Sequence, residues 1–307
     1  MGSGDGLNAS AHRAPEHVRT GLREIGRDVT IATLQQSNAL MAPFHDSEPY
    51  VGVRVERDRA YGSDERHRLD VFAPADPTAE PRPVVVFLHG GSFVGGDKHR
   101  AGSPFHDNVA LWAARHGMVG VTANHRLAPD HPWPAGAEDV ASIVAWIREN
   151  VGAWGGDPLR VHLMGASSGA VHVACYLVHE RFHVADGGGV SSASMVGGAY
   201  ALTRFERQRM APYFGDDPEL LASIDPGIAL AESPLPILYA VAEWDPLDAQ
   251  EQFAWIVAER VERRGAAPPV AWVRDANHFT ITAHLGTAFD ALGPHVASLI
   301  ATSPASS

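Results

Sequence analysis

From residue 84 onward, short unbroken apolar runs alternate with stretches of helical period. Val84-Val85-Val86-Phe87-Leu88 is the first run, and 118–123, 161–164, 193–196, 236–241 and 270–273 repeat the theme. A strand that is apolar at every position is covered on both faces, as in a parallel sheet flanked by helices. Between the runs, Val140, Ile143, Val144 and Ile147 share one helical face, as do Phe253, Ile256, Val257 and Val261. Helices are expected near 137–149, 170–177, 249–263 and 289–300. The alternation predicts an α/β chain with a mostly parallel sheet of about eight strands. Earlier, Val51, Val53 and Val55 alternate with polar residues and lead through Tyr61-Gly62-Ser63-Asp64 to Leu69-Asp70-Val71-Phe72. That pattern predicts an antiparallel hairpin with one wet face.

The amino-terminal residues 1–14 are small, polar and without period, and disorder is expected there. From Pro15, Val18, Leu22, Ile25, Val29 and Ala32 recur at steps of three and four, then Ala42-Pro43-Phe44 ends the pattern. One amphipathic helix lying on apolar material is expected within 15–44. No repeat or Pro-rich linker divides the chain, so 1–307 reads as one domain with a short insert at 197–234.

Chemistry enters at Gly165-Ala166-Ser167-Ser168-Gly169, between the run 160–164 and the helical stretch 170–177. A strand turning at once into a helix makes a tight corner, and flanking glycines remove the Cβ clashes. Ser167 would then present its hydroxyl to substrate. Serine alone is a poor nucleophile and needs a base, which in turn needs an orienting acid. In open parallel sheets such groups gather beyond the carboxyl ends of strands. Asp245 follows the run 236–241, with Glu243 and Asp248 as rivals. His278 follows the run 270–273. The chain order Ser167, Asp245, His278 is the one expected for α/β-hydrolases. His89-Gly90-Gly91-Ser92-Phe93 follows the run 84–88, and its glycines would let backbone amides approach an oxyanion. The Ser168 amide is a further candidate donor.

The net charge of −12 disfavours nucleic acid or an anionic membrane surface as a partner. No apolar stretch approaches the roughly 18 residues of a membrane span. The amino terminus lacks a secretory pattern, and the one cysteine, Cys175, allows no internal disulfide, so a reducing cytoplasm is expected. Cys175 reads as a buried apolar residue. Among 17 histidines, His179 and His183 could share a helix face, but two ligands make no metal site alone. No metal and no other cofactor is expected. Oligomeric state is left open, a homodimer among the options.

Together these residues resemble the α/β-hydrolase superfamily, specifically its hormone-sensitive-lipase-like carboxylesterases. The resemblance runs from about Arg68 to Val296. It is carried by His89-Gly90-Gly91, Asn124-His125-Arg126-Leu127-Ala128-Pro129, Trp133-Pro134-Ala135, Glu138-Asp139-Val140, Gly156-Asp157-Pro158, the Ser167 corner, Asp245-Pro246-Leu247 and His278-Phe279. It implies the α/β-hydrolase fold with the amino-terminal helix and the insert as a small cap. It also implies oxyanion donors at Gly91, Ser92 and Ser168, with Gly90 shaping the turn. Departures fall at Ser92 for a third glycine, at Ala166 for an acid, at Ser168-Gly169-Ala170 after the nucleophile, and at His125 for a tyrosine. The short insert, with Asp70-Val71-Phe72 and Gly96-Asp97-Lys98, is also similar to kynurenine formamidases and related small esterases. Formamidases commonly carry a bulky aromatic where Ser92 stands, which favours ester over amide chemistry.

The expected reaction is hydrolysis of small or medium carboxylic esters through an acyl-enzyme on Ser167, with a formamide, amide or carbamate on the same triad as the alternative. Phe93, Trp244 and Phe279 adjoin the motifs and are candidate substrate contacts; Tyr200, Tyr213 and Phe214 lie in the insert. A non-catalytic small-molecule binder is the competing class, since proteins of this fold that only bind commonly lose a triad member. Here all three candidates stand.

Overall fold

The computed structural model describes residues 13–76, 80–204 and 207–306. Eight strands form one sheet: β1 (Val53–Ala60), β2 (Arg68–Pro74), β3 (Arg82–Leu88), β4 (Val119–Ala123), β5 (Gly156–Ala166), β6 (Ser192–Val196), β7 (Ile237–Trp244) and β8 (Val270–Asn277). Their spatial order is β1-β2-β4-β3-β5-β6-β7-β8. β2 pairs antiparallel with β1 and with β4, and every later pairing is parallel.

The unbroken apolar runs have a direct cause. Successive side chains of a strand point to opposite faces. Val84, Val86 and Leu88 of β3 enter one core with Ile143, Val144, Val173 and Ile256. Val85 and Phe87 enter a second core with Val109, Trp112, Val296 and Leu299. The first core packs beneath α4 (Ala135–Asn150), α5 (Ser168–Val178) and α9 (Leu247–Arg264), the second beneath α3 (Asp107–Arg115) and α11 (Gly293–Thr302). α3 had no counterpart in the periodicity reading: all its residues from Asp107 to Ala114 are buried, so no polar face marks it.

The hairpin reading needs correction. β1, the edge strand, is the wet one, whereas β2 is buried on both faces. Asp70 of β2 is fully buried, and its carboxylate accepts from Arg57 Nη1 at 2.8 Å, Lys98 Nζ at 2.7 Å and the Asp58 amide at 2.8 Å. Those donors let an acid occupy a covered strand.

The single amino-terminal helix is two, α1 (Glu16–Ile25) and α2 (Ile31–Met41). Gly26 takes a positive φ of 74° and ends α1; Thr30 opens α2 with a reciprocal hydrogen-bonded cap shared with Thr33. Val29 therefore sits in the connection rather than on a helix stripe. Most of the stretch expected to be disordered, 1–14, lies outside the described residues. Its last two members are held: Ala14 is buried, and Arg13 pairs with both carboxylate oxygens of Asp275 at 2.7 and 3.1 Å. The insert folds into α6 (Arg207–Phe214), α7 (Pro218–Ile224) and α8 (Gly227–Glu232), and α10 (Thr280–Ala283) follows β8.

Candidate active site

At the end of β5 the chain turns through Ser167, whose φ of 52° and ψ of −121° are rare for a residue with a side chain. Close packing holds that conformation. A Cβ on Gly165 would lie 2.5 Å from Ala170 Cα, and one on Gly169 would lie 2.3 Å from the Leu88 carbonyl oxygen. The two glycines are thus required where α5 crosses β5 and β3. The Ser167 amide donates to the Val196 carbonyl of β6 at 2.8 Å.

β7 and β8 deliver the other two groups. Asp245 follows β7, is fully buried, and accepts the Ala242 amide on Oδ2 at 2.6 Å. Its Oδ1 lies 2.6 Å from His278 Nδ1. His278 Nε2 lies 3.0 Å from Ser167 Oγ. A carboxylate only accepts, so Nδ1 carries the ring proton and Nε2 is left to accept from the serine hydroxyl. The rivals go elsewhere: Glu243 Oε2 accepts the Asp275 amide at 2.9 Å, and Asp248 borders a cavity without bonding His278. The amino-terminal segment supports this arrangement, a contact that sequence periodicity did not reveal. Arg27 Nη1 donates to the Asp245 carbonyl at 2.6 Å while its guanidinium lies 5.2 Å from the Trp244 ring centroid. Asn277, one residue before the histidine, donates to Ser37 Oγ at 2.9 Å.

Beyond β3, Gly91, Ser92 and Phe93 all take positive φ, at 142°, 52° and 68°. The Gly91 carbonyl accepts from the Val94 and Gly95 amides, both at 3.1 Å, which closes the turn. Gly90 packs so tightly on Ser167 that a Cβ there would meet Ser167 Cβ at 2.9 Å. His89 braces the loop from beneath, with Nδ1 2.7 Å from the Gly90 carbonyl. Burial pushes His89 down to about 3, so the ring is neutral and donates that bond. The Phe93 carbonyl accepts the Ala128 amide at 2.9 Å, tying the loop to the Arg126-Leu127-Ala128 segment. That segment is held in turn by Asp139, which accepts the Arg126 amide at 2.6 Å and Nε at 2.8 Å. Ser168 opens α5, so its amide is among those a helix leaves without an internal partner.

Two cavities meet at Ser167; Val29, Ser92, Ser167 and His278 border both. The narrow one, about 60 Å³, is walled by Phe93, Val171, Ala199, Met210 and Ala249. The wide one, about 200 Å³, takes Leu34 and Asn38 from α2, Arg100 and Phe105 from the loop before α3, and Phe279 and Thr282 near the histidine. Phe93 and Phe279 therefore border substrate-sized space. Trp244 borders neither cavity, because its ring is turned to Arg27. Tyr200, Tyr213 and Phe214 are buried packing, with Phe93 stacked on Tyr213 at 4.9 Å between centroids. The sequence reading expected the amino-terminal segment as a cap, but not which of its residues line the cavity, nor the contribution of loop 96–106. Gly26 and the Thr30 cap could have signalled the helix break that brings Val29 inward.

The unusual His125 is fully buried, stacked 4.4 Å from His89, with both ring nitrogens unbonded. Burial holds it well below the ordinary histidine value. His179 and His183 do not converge: their Nε2 atoms meet the carbonyls of Ile224 at 3.2 Å and Tyr176 at 2.9 Å. Among the described residues, Asp70, His99 and Asp107 come close enough to share a cation, but Arg57 and Lys98 already occupy those carboxylates. Cys175 is buried and its thiol is pushed up accordingly. No helix among the described residues is long and apolar enough to cross a membrane.

Residues 69–182 match the BD-FAE family. Over 116 residues the chain is 36% identical to Esterase LipC of Mycobacterium tuberculosis, covering 38% of this chain and 28% of the relative. Over 88 residues it is 41% identical to Carboxylesterase NlhH of the same organism, covering 28% and 26%. The matched stretches thus span less than a third of those relatives' lengths. Among solved structures, a hyperthermophilic esterase from Pyrobaculum calidifontis superposes with a TM-score of 0.68 at 21% identity, covering 94% of this chain and 98% of that one. Esterase B from Lactobacillus rhamnosis gives a TM-score of 0.68 at 16% identity, covering 94% and 97%. The strand order, the strained serine corner after β5 and these likenesses lead to one placement: the chain has the α/β-hydrolase fold.

Proposed function

We propose that the protein is a serine carboxylesterase for esters of short acyl chains. The observation that carries this reading is the unbroken link from Asp245 through His278 to Ser167, with contacts of 2.6 and 3.0 Å. Ser167 Oγ attacks the ester carbonyl while His278 Nε2 takes its proton. Asp245 fixes the imidazole tautomer and stabilises the cation that forms. The amides of Gly91, Ser92 and Ser168 receive the oxyanion. His278 then returns the proton to the departing alcohol, and water cleaves the acyl-enzyme by the same route.

The narrow cavity takes the acyl group. One water needs about 10–15 Å³ of such space, so the cavity's 60 Å³ suits an acetyl to butyryl chain. Phe93, Val171, Ala199, Met210 and Ala249 give it a mostly apolar wall, which matches an alkyl chain.

The test is labelling with a fluorophosphonate beside turnover of p-nitrophenyl acetate. The protein should label at Ser167, and Ser167→Ala should lose the label with a fall in kcat of about 10⁵–10⁶. Retained turnover in that variant, or an unlabelled parent protein, overturns the reading.

A further inference from the structure

The wide cavity carries a cation that nothing else in the fold uses. Arg100 borders it and is exposed, and no ion pair or hydrogen bond from its guanidinium occurs among the described residues. What sets it apart from other arginines is that it borders the cavity beside Ser167 and His278. Arg13, Arg57, Arg115, Arg126 and Arg263 each hold a carboxylate within 2.9 Å. Arg100 lines the cavity together with His106, whose ring burial holds below the ordinary histidine value, with the nearby Arg100 charge acting in the same direction.

One acid shares this space, and it is already engaged. Asp97 Oδ1 accepts the His99 amide and Asn124 Nδ2, both at 3.2 Å, and its Oδ2 lies 4.0 Å from Arg66 Nη1. The remaining lining is apolar or neutral, with Leu34, Phe105 and Phe279 as walls and Asn38, Ser103 and Thr282 as polar groups. An apolar slot with one unpaired guanidinium fits a substrate part that is flat and apolar and carries an anion. A guanidinium presents a fork of donors that matches a carboxylate.

We propose that Arg100 selects esters whose leaving alcohol or phenol carries a carboxylate. The proposal rests on the esterase reading above, in which the narrow cavity holds the acyl group and the wide one holds the leaving group. Ser167 Oγ forms the acyl bond as the acyl C–O bond to the phenol breaks. The serine proton passes through His278 to the departing phenol oxygen. The released phenol keeps its carboxylate on Arg100, and water completes hydrolysis. Net consumption is one ester and one water, giving one short acid and one carboxylate-bearing phenol.

The experiment compares kcat/KM for 4-(acetoxy)phenylacetate with that for 4-methylphenyl acetate. The two leaving phenols are of similar acidity and differ in the remote carboxylate. The parent protein should favour the anionic ester by about tenfold, the magnitude of one charge-assisted contact at a partly exposed position. Arg100→Ala should bring the ratio close to one, with the change carried by KM. Arg100→Glu should invert it, with 4-methylphenyl acetate outranking the anionic ester. A parent ratio at or below one, or a ratio unmoved in Arg100→Ala, overturns the proposal. Failure of the esterase reading looks different: the neutral ester itself would not turn over, and Ser167 would not label.

Discussion

The two cavities that meet at Ser167 differ in origin as well as size. The narrow one is cut into the α/β body and its insert, with Val171 on α5, Ala249 on α9 and Met210 on α6. Its walls are mostly apolar, and one of them, Phe93, is backed by the stacked ring of Tyr213. The wide one is assembled from pieces that the sheet does not dictate: the α1–α2 connection, α2 and loop 96–106. Polar and charged groups collect there. A fold that fixes the nucleophile can thus keep one half of the site constant in character and vary the other by changing surface segments.

The largest effect should ignore the difference between the halves. Asp245→Asn leaves the shape of both cavities intact but gives His278 the wrong tautomer, and kcat should fall by about 10³–10⁴ for every ester. A loss confined to one ester class would show that the acid does more than orient the imidazole.

The second prediction separates the halves. Ala199→Leu fills the narrow cavity, and overpacking of about 1–3 kcal/mol corresponds to a tenfold to hundredfold loss. Hydrolysis of p-nitrophenyl butyrate should fall by that range and the acetate by less. Equal losses for both would place the acyl chain in the wide cavity instead.

The third probes the support of the wide cavity. Arg27→Ala removes the 2.6 Å bond to the Asp245 carbonyl and the stacking on Trp244. A charged hydrogen bond at a half-buried position is worth about 1–2 kcal/mol, so kcat should drop up to tenfold. The circular-dichroism spectrum should stay unchanged. Full activity in this variant would show that the α1–α2 connection and α2 line the cavity without positioning the acid.

The smallest effect concerns pH. Burial pushes His89 and His162 down to about 3 and His172 down to about 4. In the unfolded chain these rings titrate near ~6.5, so the unfolded state takes up protons first as pH falls. Their contribution is full above ~6.5 and declines from there toward ~3–4. Thermal midpoints should be flat from pH 7 to 8 and fall steadily below ~6. His125 is also held low and has no bond to lose, so His125→Phe should flatten that fall by up to about 1.4 kcal/mol per pH unit. An unchanged slope would mean that water already reaches His125.

The same contrast explains what could be read in the sequence. The parallel sheet and the Ser167, Asp245, His278 order were legible because each depends on local pattern: unbroken apolar runs, glycines without room for a Cβ, and polar residues just past strand ends. The break between α1 and α2 was not, because Val18, Leu22, Ile25, Val29 and Ala32 keep a helical spacing across Gly26. α3 was hidden by burial on all sides, and the buried state of β2 by Asp70, whose partners Arg57 and Lys98 lie far off in sequence. The cavity contributions of Asn38 and Arg100 follow only from how surface segments fold back over the strand ends.

A site with two chambers also sets an order of traffic. On the proposed reading, the acyl group stays in the narrow chamber when the alcohol leaves the wide one, and the next molecule to enter the vacated chamber becomes the second nucleophile. Water wins by abundance in dilute solution. An added alcohol that fits the wide chamber competes with it, and the acyl-enzyme then partitions between free acid and a new ester. The volume and charge of that chamber decide the ratio of hydrolysis to acyl transfer.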